Sequence, residues 1–121
     1  MATPNIINVA TITPKVAVGA VTTSRATIVD VPAENCAKIN SLVITNIDGV
    51  NAADITAEVS TNNGSDYTVV LASTISVPAD ASLVLVGKDN GFYLDEEDIL
   101  ALTASANSDL TYLVSYELLV D

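Results

Sequence analysis

The chain has 121 residues, with fifteen acidic against four basic side chains, no His, no Trp and one cysteine, Cys36. That length makes one domain around one hydrophobic core, and the residues it lacks exclude an intrachain disulfide framework, a Cys/His zinc site and any nucleophile paired with histidine. A net charge of −11 opposes both nucleic acid and anionic membrane surfaces, which are bound by setting Lys and Arg against phosphate.

Half of the residues are apolar and 16% are charged, so the chain has enough to bury to fold. Val, Ile and Thr make up 39 of the 121 positions, and β-branched side chains favour strands over helices. Apolar residues recur with period two, broken by turn clusters about every eight to twelve residues, the pattern of a sandwich or barrel. The expected fold is all-β: an antiparallel β-sandwich, jelly-roll-like, of about eight strands with almost no helix. No run approaches the roughly 20 apolar residues that span a bilayer. Residues Met1 to Asn5 lack a basic region leading into an apolar core, so a soluble product made in a cytoplasm is expected.

Residues 1–21 stand apart as an apolar N-terminal segment, in which Lys15 alone is charged. Pro4 and Pro14 bracket a strand over 6–13, and a second strand is expected over 16–23. Ile6, Ile7, Val9 and Ile12 make the segment too apolar to stay free in water. It is either an edge strand of its own domain or an assembly arm that adds a strand to a neighbouring subunit, and the arm is preferred. Residues 22–121 form the sandwich itself.

Within it, strands are expected over 26–31, 37–46, 53–61, 67–72, 82–87, 91–94, 99–104 and 110–119. Asp48-Gly49, Asn63-Gly64 and Asn90-Gly91 offer residues that tolerate positive φ in tight hairpin turns. Ile55, Ala57 and Val59 alternate with Thr56, Glu58 and Ser60, which gives one packed and one wet face. In the last strand Tyr112, Val114, Tyr116, Leu118 and Val120 alternate with Thr111, Leu113, Ser115, Glu117 and Leu119. Leu83-Val84-Leu85-Val86 is apolar on both faces, as in a strand that is central in its sheet or covered by another subunit. Asp95 to Leu100 has room for one helical turn. Thr27 to Glu34 is echoed by Thr74 to Asp80, each a strand end, a Val-Pro-Ala corner and an acid. The echo marks either a duplicated half-sandwich or two corners of the same geometry.

Few constellations carry chemistry. The acidic run Asp95-Glu96-Glu97-Asp98 contains oxygen ligands that suit Ca²⁺, with Asp95, Glu96 and Asp98 the weak candidates. It lacks the alternating spacing that aims ligands inward, so a solvated turn is the plainer reading and no metal is expected. Glu58 and Glu117 are acids of the type glycosidases pair, but with fifteen acids such pairs arise by chance. Phe92, Tyr93, Tyr67, Tyr112 and Tyr116 are the aromatics a sugar platform would need. Tyr112 and Tyr116 share a strand face with Val114, as core residues do. Cys36 has only Lys38 near it to lower its pKa and reads as a packing residue. No catalytic residue and no cofactor is assigned.

The stretch Val31-Pro32-Ala33-Glu34-Asn35-Cys36-Ala37-Lys38-Ile39-Asn40-Ser41-Leu42-Val43-Ile44-Thr45-Asn46 resembles a family of small β-sandwich virion structural proteins of tailed phages, abundant among marine and cyanobacterial phages. The similarity continues through Ile75-Ser76-Val77-Pro78-Ala79-Asp80, Tyr93-Leu94, Leu102-Thr103-Ala104-Ser105-Ala106 and Leu110 to Glu117, and so covers about residues 22 to 119. Glu97 departs from it, since the family often has Gly there, and a left-handed backbone would strain Glu. The resemblance implies a coat or appendage component without catalysis. At −11 the chain would be repelled from packaged DNA, which favours the outer surface. The expectation is an outer capsid decoration (cement) protein that bridges major capsid subunits, with a tail- or fibre-associated role in host attachment as the alternative. Interface candidates are Ile6, Ile7, Val9, Ile12, Val84 and Val86. Expected partners are the major capsid protein or other virion proteins and further copies of the chain. The trimer is preferred by analogy with three-fold capsid positions.

Overall fold

The computed structural model describes residues 11–61, 63–67 and 69–120. Among them the chain forms nine strands: β1 (Thr11–Ala20), β2 (Ala26–Asp30), β3 (Asn35–Asn46), β4 (Ala53–Ser60), β5 (Val69–Val77), β6 (Ser82–Val86), β7 (Phe92–Leu94), β8 (Ile99–Ala104) and β9 (Leu110–Val120). They make two antiparallel sheets. The first runs β1-β9-β3-β6, with β7 also pairing β3, and the second runs β2-β8-β4-β5. The pairing is nested: β1 with β9, β2 with β8, β3 with β6 and β7, β4 with β5. A long hairpin rolled into two sheets gives this order, which is the jelly-roll arrangement. β6 and β7 divide one strand position between them along β3, so nine strands fill eight places.

The period-two pattern places the core between the sheets. Ile39, Leu42, Ile44, Leu110 and Val114 face it from the first sheet, and Ile55, Leu100 and Leu102 face it from the second. Tyr112, Tyr116 and Leu118 pack against its margin. Most predicted strands match the observed ones within a few residues. Residues 6–10 of the strand expected over 6–13 lie outside the described residues; the rest of it joins most of the strand expected over 16–23 in β1, which runs straight through Pro14. β1 is paired only to β9 among the described residues, and an edge position tolerates the missing N–H of proline. Residues 11–20 pair with β9 of the same chain. The strand expected over 67–72 runs on to Val77 through two register shifts against β4. Among the described residues β6 is not central: it pairs β3 alone.

Of the three predicted glycine turns, only Asn63-Gly64 uses positive φ, at 59° and 85°. Asp48 folds its loop with the side chain, its Oδ1 accepting the backbone N–H of Val50 at 2.8 Å and of Asn51 at 3.2 Å. Those bonds hold the Asp48 carboxyl below its ordinary range. Gly91 has φ −65°, after the 3₁₀ turn Lys88–Asn90, and what it supplies is space. A Cβ there would stand 2.7 Å from the carbonyl oxygen of Ile39. Gly91→Ala should push β7 off β3 and cost about 1–3 kcal/mol, read as a lower urea midpoint at unchanged slope.

Three turns carry the chain from one sheet to the other in the same way. Pro32–Asn35, Pro78–Ala81 and Asp95–Asp98 each close with a bond from the fourth N–H to the first carbonyl, at 3.3, 3.1 and 3.2 Å. The third residue is left-handed in each: Glu34 at φ 66°, Asp80 at 59° and Glu97 at 64°. The echo of Val-Pro-Ala is thus a repeated corner. It occurs a third time without that sequence, as the geometry for changing sheets rather than the trace of a duplicated half. The last corner also replaces the helical turn expected after Asp95. Glu97→Gly removes the Cβ strain of the left-handed backbone, offset in part by the greater freedom of glycine when unfolded. The variant should be stabilised by a few tenths to about 1 kcal/mol, and an unchanged or lower melting temperature would contradict this.

Candidate functional site

The acidic corner is committed to its own backbone. Asp95 accepts the N–H of Glu96 at 2.8 Å, Asp98 Oδ2 accepts the N–H of Asp95 at 2.8 Å, and Glu96 accepts the N–H of Glu34 from the neighbouring corner at 2.8 Å. Asp95, Glu96 and Asp98 therefore aim at peptide groups and knit two corners together. Among the described residues no group of three His, Cys, Asp or Glu is placed to hold a metal. Asp98 is buried, which pushes its carboxyl pKa up, as does the charge of Asp95; the bond from the Asp95 N–H opposes both. A raised folded-state pKa means stability that declines as pH rises through that value. Asp98→Asn keeps an acceptor for Asp95 and removes the buried charge. Its melting temperature should exceed that of the parent at pH 7, with the gain fading as pH falls below the carboxylate range.

Glu58 and Glu117 lie on opposite outer faces of the sandwich. Glu58 is engaged by Arg25, through Nε and Nη2 at 3.0 Å each, and the Arg25 guanidinium stacks 4.0 Å over the ring of Tyr67. The hydrogen bond to Glu58 raises the pKa of Arg25 further. This cluster and the β4–β5 loop cover the second sheet, where Gly64 approaches the Ile99 side chain. The aromatics do not form a platform. Tyr67 is stacked on one side, Phe92, Tyr112 and Tyr116 pack on the core, and Tyr93 alone stands well exposed on the first sheet. Cys36 is buried, and burial followed by the charge of Asp95 pushes its thiol pKa up, away from the nucleophilic thiolate.

The surface that stands out is the outer face of the first sheet. Cross-strand register aligns Val18 with Leu113, Leu113 with Val43 and Val43 with Val84, an apolar row across the sheet. Val18, Leu113 and Val84 are 65%, 44% and 59% exposed. On one side lies the row Ala20, Thr111, Thr45 and Ser82, in which Thr45 and Ser82 share a hydrogen bond at 3.0 Å. On the other side Val16, Ser115 and Ser41 align, followed by Pro14, Glu117, Lys38 and Tyr93. Glu117 is the one acid in these four rows, and its register partner on β3 is Lys38.

Two of the predicted interface residues belong here or beside it. Val84 sits in the apolar row, and Ile12 is exposed on β1 next to these rows. Val86 does not: it faces the core at 4% exposure opposite Leu42, because a register shift between the Val84 and Val86 pairs breaks the alternation that would put both on one face. Ile6, Ile7 and Val9 lie outside the described residues. Sequence reasoning missed Val18, Leu113 and Val43 as one surface. The signal was present in the outward sets of three strands, uncharged apart from Lys38 and Glu117, but only the pairing brings them side by side.

The chain matches no family model and no curated protein. Among solved structures it is similar to the Bacillus endospore appendage protein of disulfide-linked pili, with TM-score 0.50 and 12% identity over 92% of this chain and 88% of that one. It is also similar to a chain of infectious bursal disease virus, Gx strain, with TM-score 0.49 and 12% identity over 93% of this chain and 34% of that one. At this identity the pilus likeness is one of fold.

Proposed function

We propose that this chain is a non-enzymatic structural subunit of a phage virion, an outer capsid decoration protein that bridges major capsid subunits. The observation that carries the reading is the outer face of the first sheet. It is uncharged apart from one Lys–Glu row, on a chain of net charge −11. Exposed apolar rows of this kind are ordinarily buried against another subunit. β6 is an edge strand among the described residues; its Leu83, Leu85 and Val86 pack on the core, and its Val84 stands outward, 59% exposed. The resemblance at Val31 to Asn46 supports the virion context, and the acidic charge supports a place away from packaged DNA. Asp95, Glu96 and Asp98 accept backbone N–H groups, Glu58 is held by Arg25, Glu117 accepts from Asn40, and Cys36 is buried.

Immunogold labelling of intact particles, with antibody raised against the purified chain, tests this directly. Label over the capsid is the expected result. Label confined to the tail would support the attachment reading, and particles without label would remove a virion role.

A further inference from the structure

We infer that the outer face of the first sheet packs against the same face of a second copy, about a two-fold axis. The inference rests on the reading above only in treating this face as one that is buried on assembly.

Strand addition at an edge is the usual route for joining β-proteins, and here each edge is blunted. β1 contains Pro14, whose nitrogen has no proton to donate. β2 is five residues long with a register shift between Thr27 and Val29. β5 has two register shifts and a left-handed Thr74 at φ 45°. The position shared by β6 and β7 is broken at Lys88–Asn90. The second sheet has the Arg25–Tyr67 stack and the β4–β5 loop on part of its outer face, while Val70 opposite Glu58 stays 50% exposed. What remains is the outer face of the first sheet, whose rows run across β1, β9, β3 and β6 or β7 with register shifts between Ile39 and Ser41 and between Leu42 and Val43.

Charge selects the occupant. Two copies at −11 each repel one another wherever their acids approach. The four rows contain Glu117 alone among fifteen acids, with Lys38 opposite it and Asp89 at their margin beside Lys38 and Ser41, so this is where copies can meet at least cost. Side chains of Val, Leu, Ser, Thr and Ala suit two sheets stacked about 10 Å apart in the aligned manner of a sandwich. Four strands by seven residues offer roughly 500 Å² per copy, about 1,000 Å² in all, the lower limit of a specific interface. A face packed on itself closes with two-fold symmetry, so the product is a dimer rather than the trimer suggested by analogy.

Sedimentation of the full chain from about 5 to 500 μM should show a monomer–dimer equilibrium with Kd of about 10–100 μM. It should tighten between about 50 and 500 mM NaCl as repulsion between the acidic bodies is screened. Leu113→Lys and Val84→Lys, tested separately, should each raise Kd by at least about tenfold, a cost of about 1.4 kcal/mol or more. Ile75→Lys, at a similarly exposed position on β5, should leave Kd unchanged. Circular dichroism checks folding, and Val84→Lys on an edge strand carries the test if Leu113→Lys does not fold. A monomer throughout, a trimer, or a dimer that both Lys variants leave intact would overturn the inference. Labelled virions with a monomeric protein would retire the dimer alone, and a dimer with unlabelled virions would retire the virion reading alone.

Discussion

Leu102→Ala is expected to lower the free energy of unfolding by about 3–4 kcal/mol, out of the 5–15 kcal/mol typical of a domain. Leu102 is 1% exposed and lies in the middle of the second sheet, facing the core. Its neighbours in register are Ala26 on β2 and Ala57 on β4. Small residues on both sides leave Leu102 as the bulk at that point, and an alanine cannot lean over to fill what it vacates. The loss should therefore fall toward the upper part of the Leu→Ala range, where a cavity persists. Urea denaturation followed by circular dichroism reads it as a lower midpoint at unchanged slope. A loss under about 1 kcal/mol would mean that the two sheets do not close on one another at Leu102.

Asn46→Asp should cost about as much, roughly 3–5 kcal/mol at pH 7, for a reason that does not involve volume. Asn46 is 1% exposed at the end of β3. Its Nδ2 donates to the carbonyl oxygens of Asn51 at 3.0 Å and Val77 at 2.9 Å, while its Oδ1 accepts the N–H of Asp48 at 2.9 Å. One amide thus ties the β3–β4 loop to the end of β5 across the two sheets. The substitution is isosteric, yet it removes both donors and turns a buried carboxylate toward two carbonyl oxygens. Burial and that repulsion would raise the folded-state pKa of the introduced carboxyl, so stability declines with rising pH. The deficit relative to the parent should be largest at neutral pH and shrink as pH falls toward about 4. A deficit that is independent of pH would show that the cost comes from some other source.

Fold class and strand order in the chain were open to reading without coordinates, because both depend on local pattern. Alternation over Ile55 to Ser60 and Thr111 to Val120 has one physical solution when half the residues are apolar: a strand with one face buried. Turn positions were equally legible, but their geometry was not. Asp-Gly at Asp48-Gly49 looks like a hairpin turn, yet it belongs to a connection between sheets, where Asp48 closes the loop with its carboxylate. The third sheet-changing corner was hidden because Glu97 is an unfavourable residue for the left-handed backbone it adopts. Position 97 was singled out only through a resemblance. Propensity yields there to the need of the chain to cross from β7 to β8.

The site divides in the same way. Charge and composition, which need no structure, exclude histidine-based catalysis and oppose nucleic acid, and the outward positions of β1, β3 and β9, uncharged apart from Lys38 and Glu117, are visible in the sequence. What they amount to depends on which strands lie side by side. β1 and β9 are more than 90 residues apart along the chain in every one of their pairs, and Val18 meets Leu113 only because the rolled hairpin returns its last strand to its first. The same pairing sends Val86 inward and leaves Val84 outward, a distinction that a run of four apolar residues does not contain. Sequence determines the alternation along each strand, since side-chain direction is a local property of the extended backbone. Register between distant strands decides which alternating sets merge into one surface, because it is the closure of two sheets around a single core that selects it.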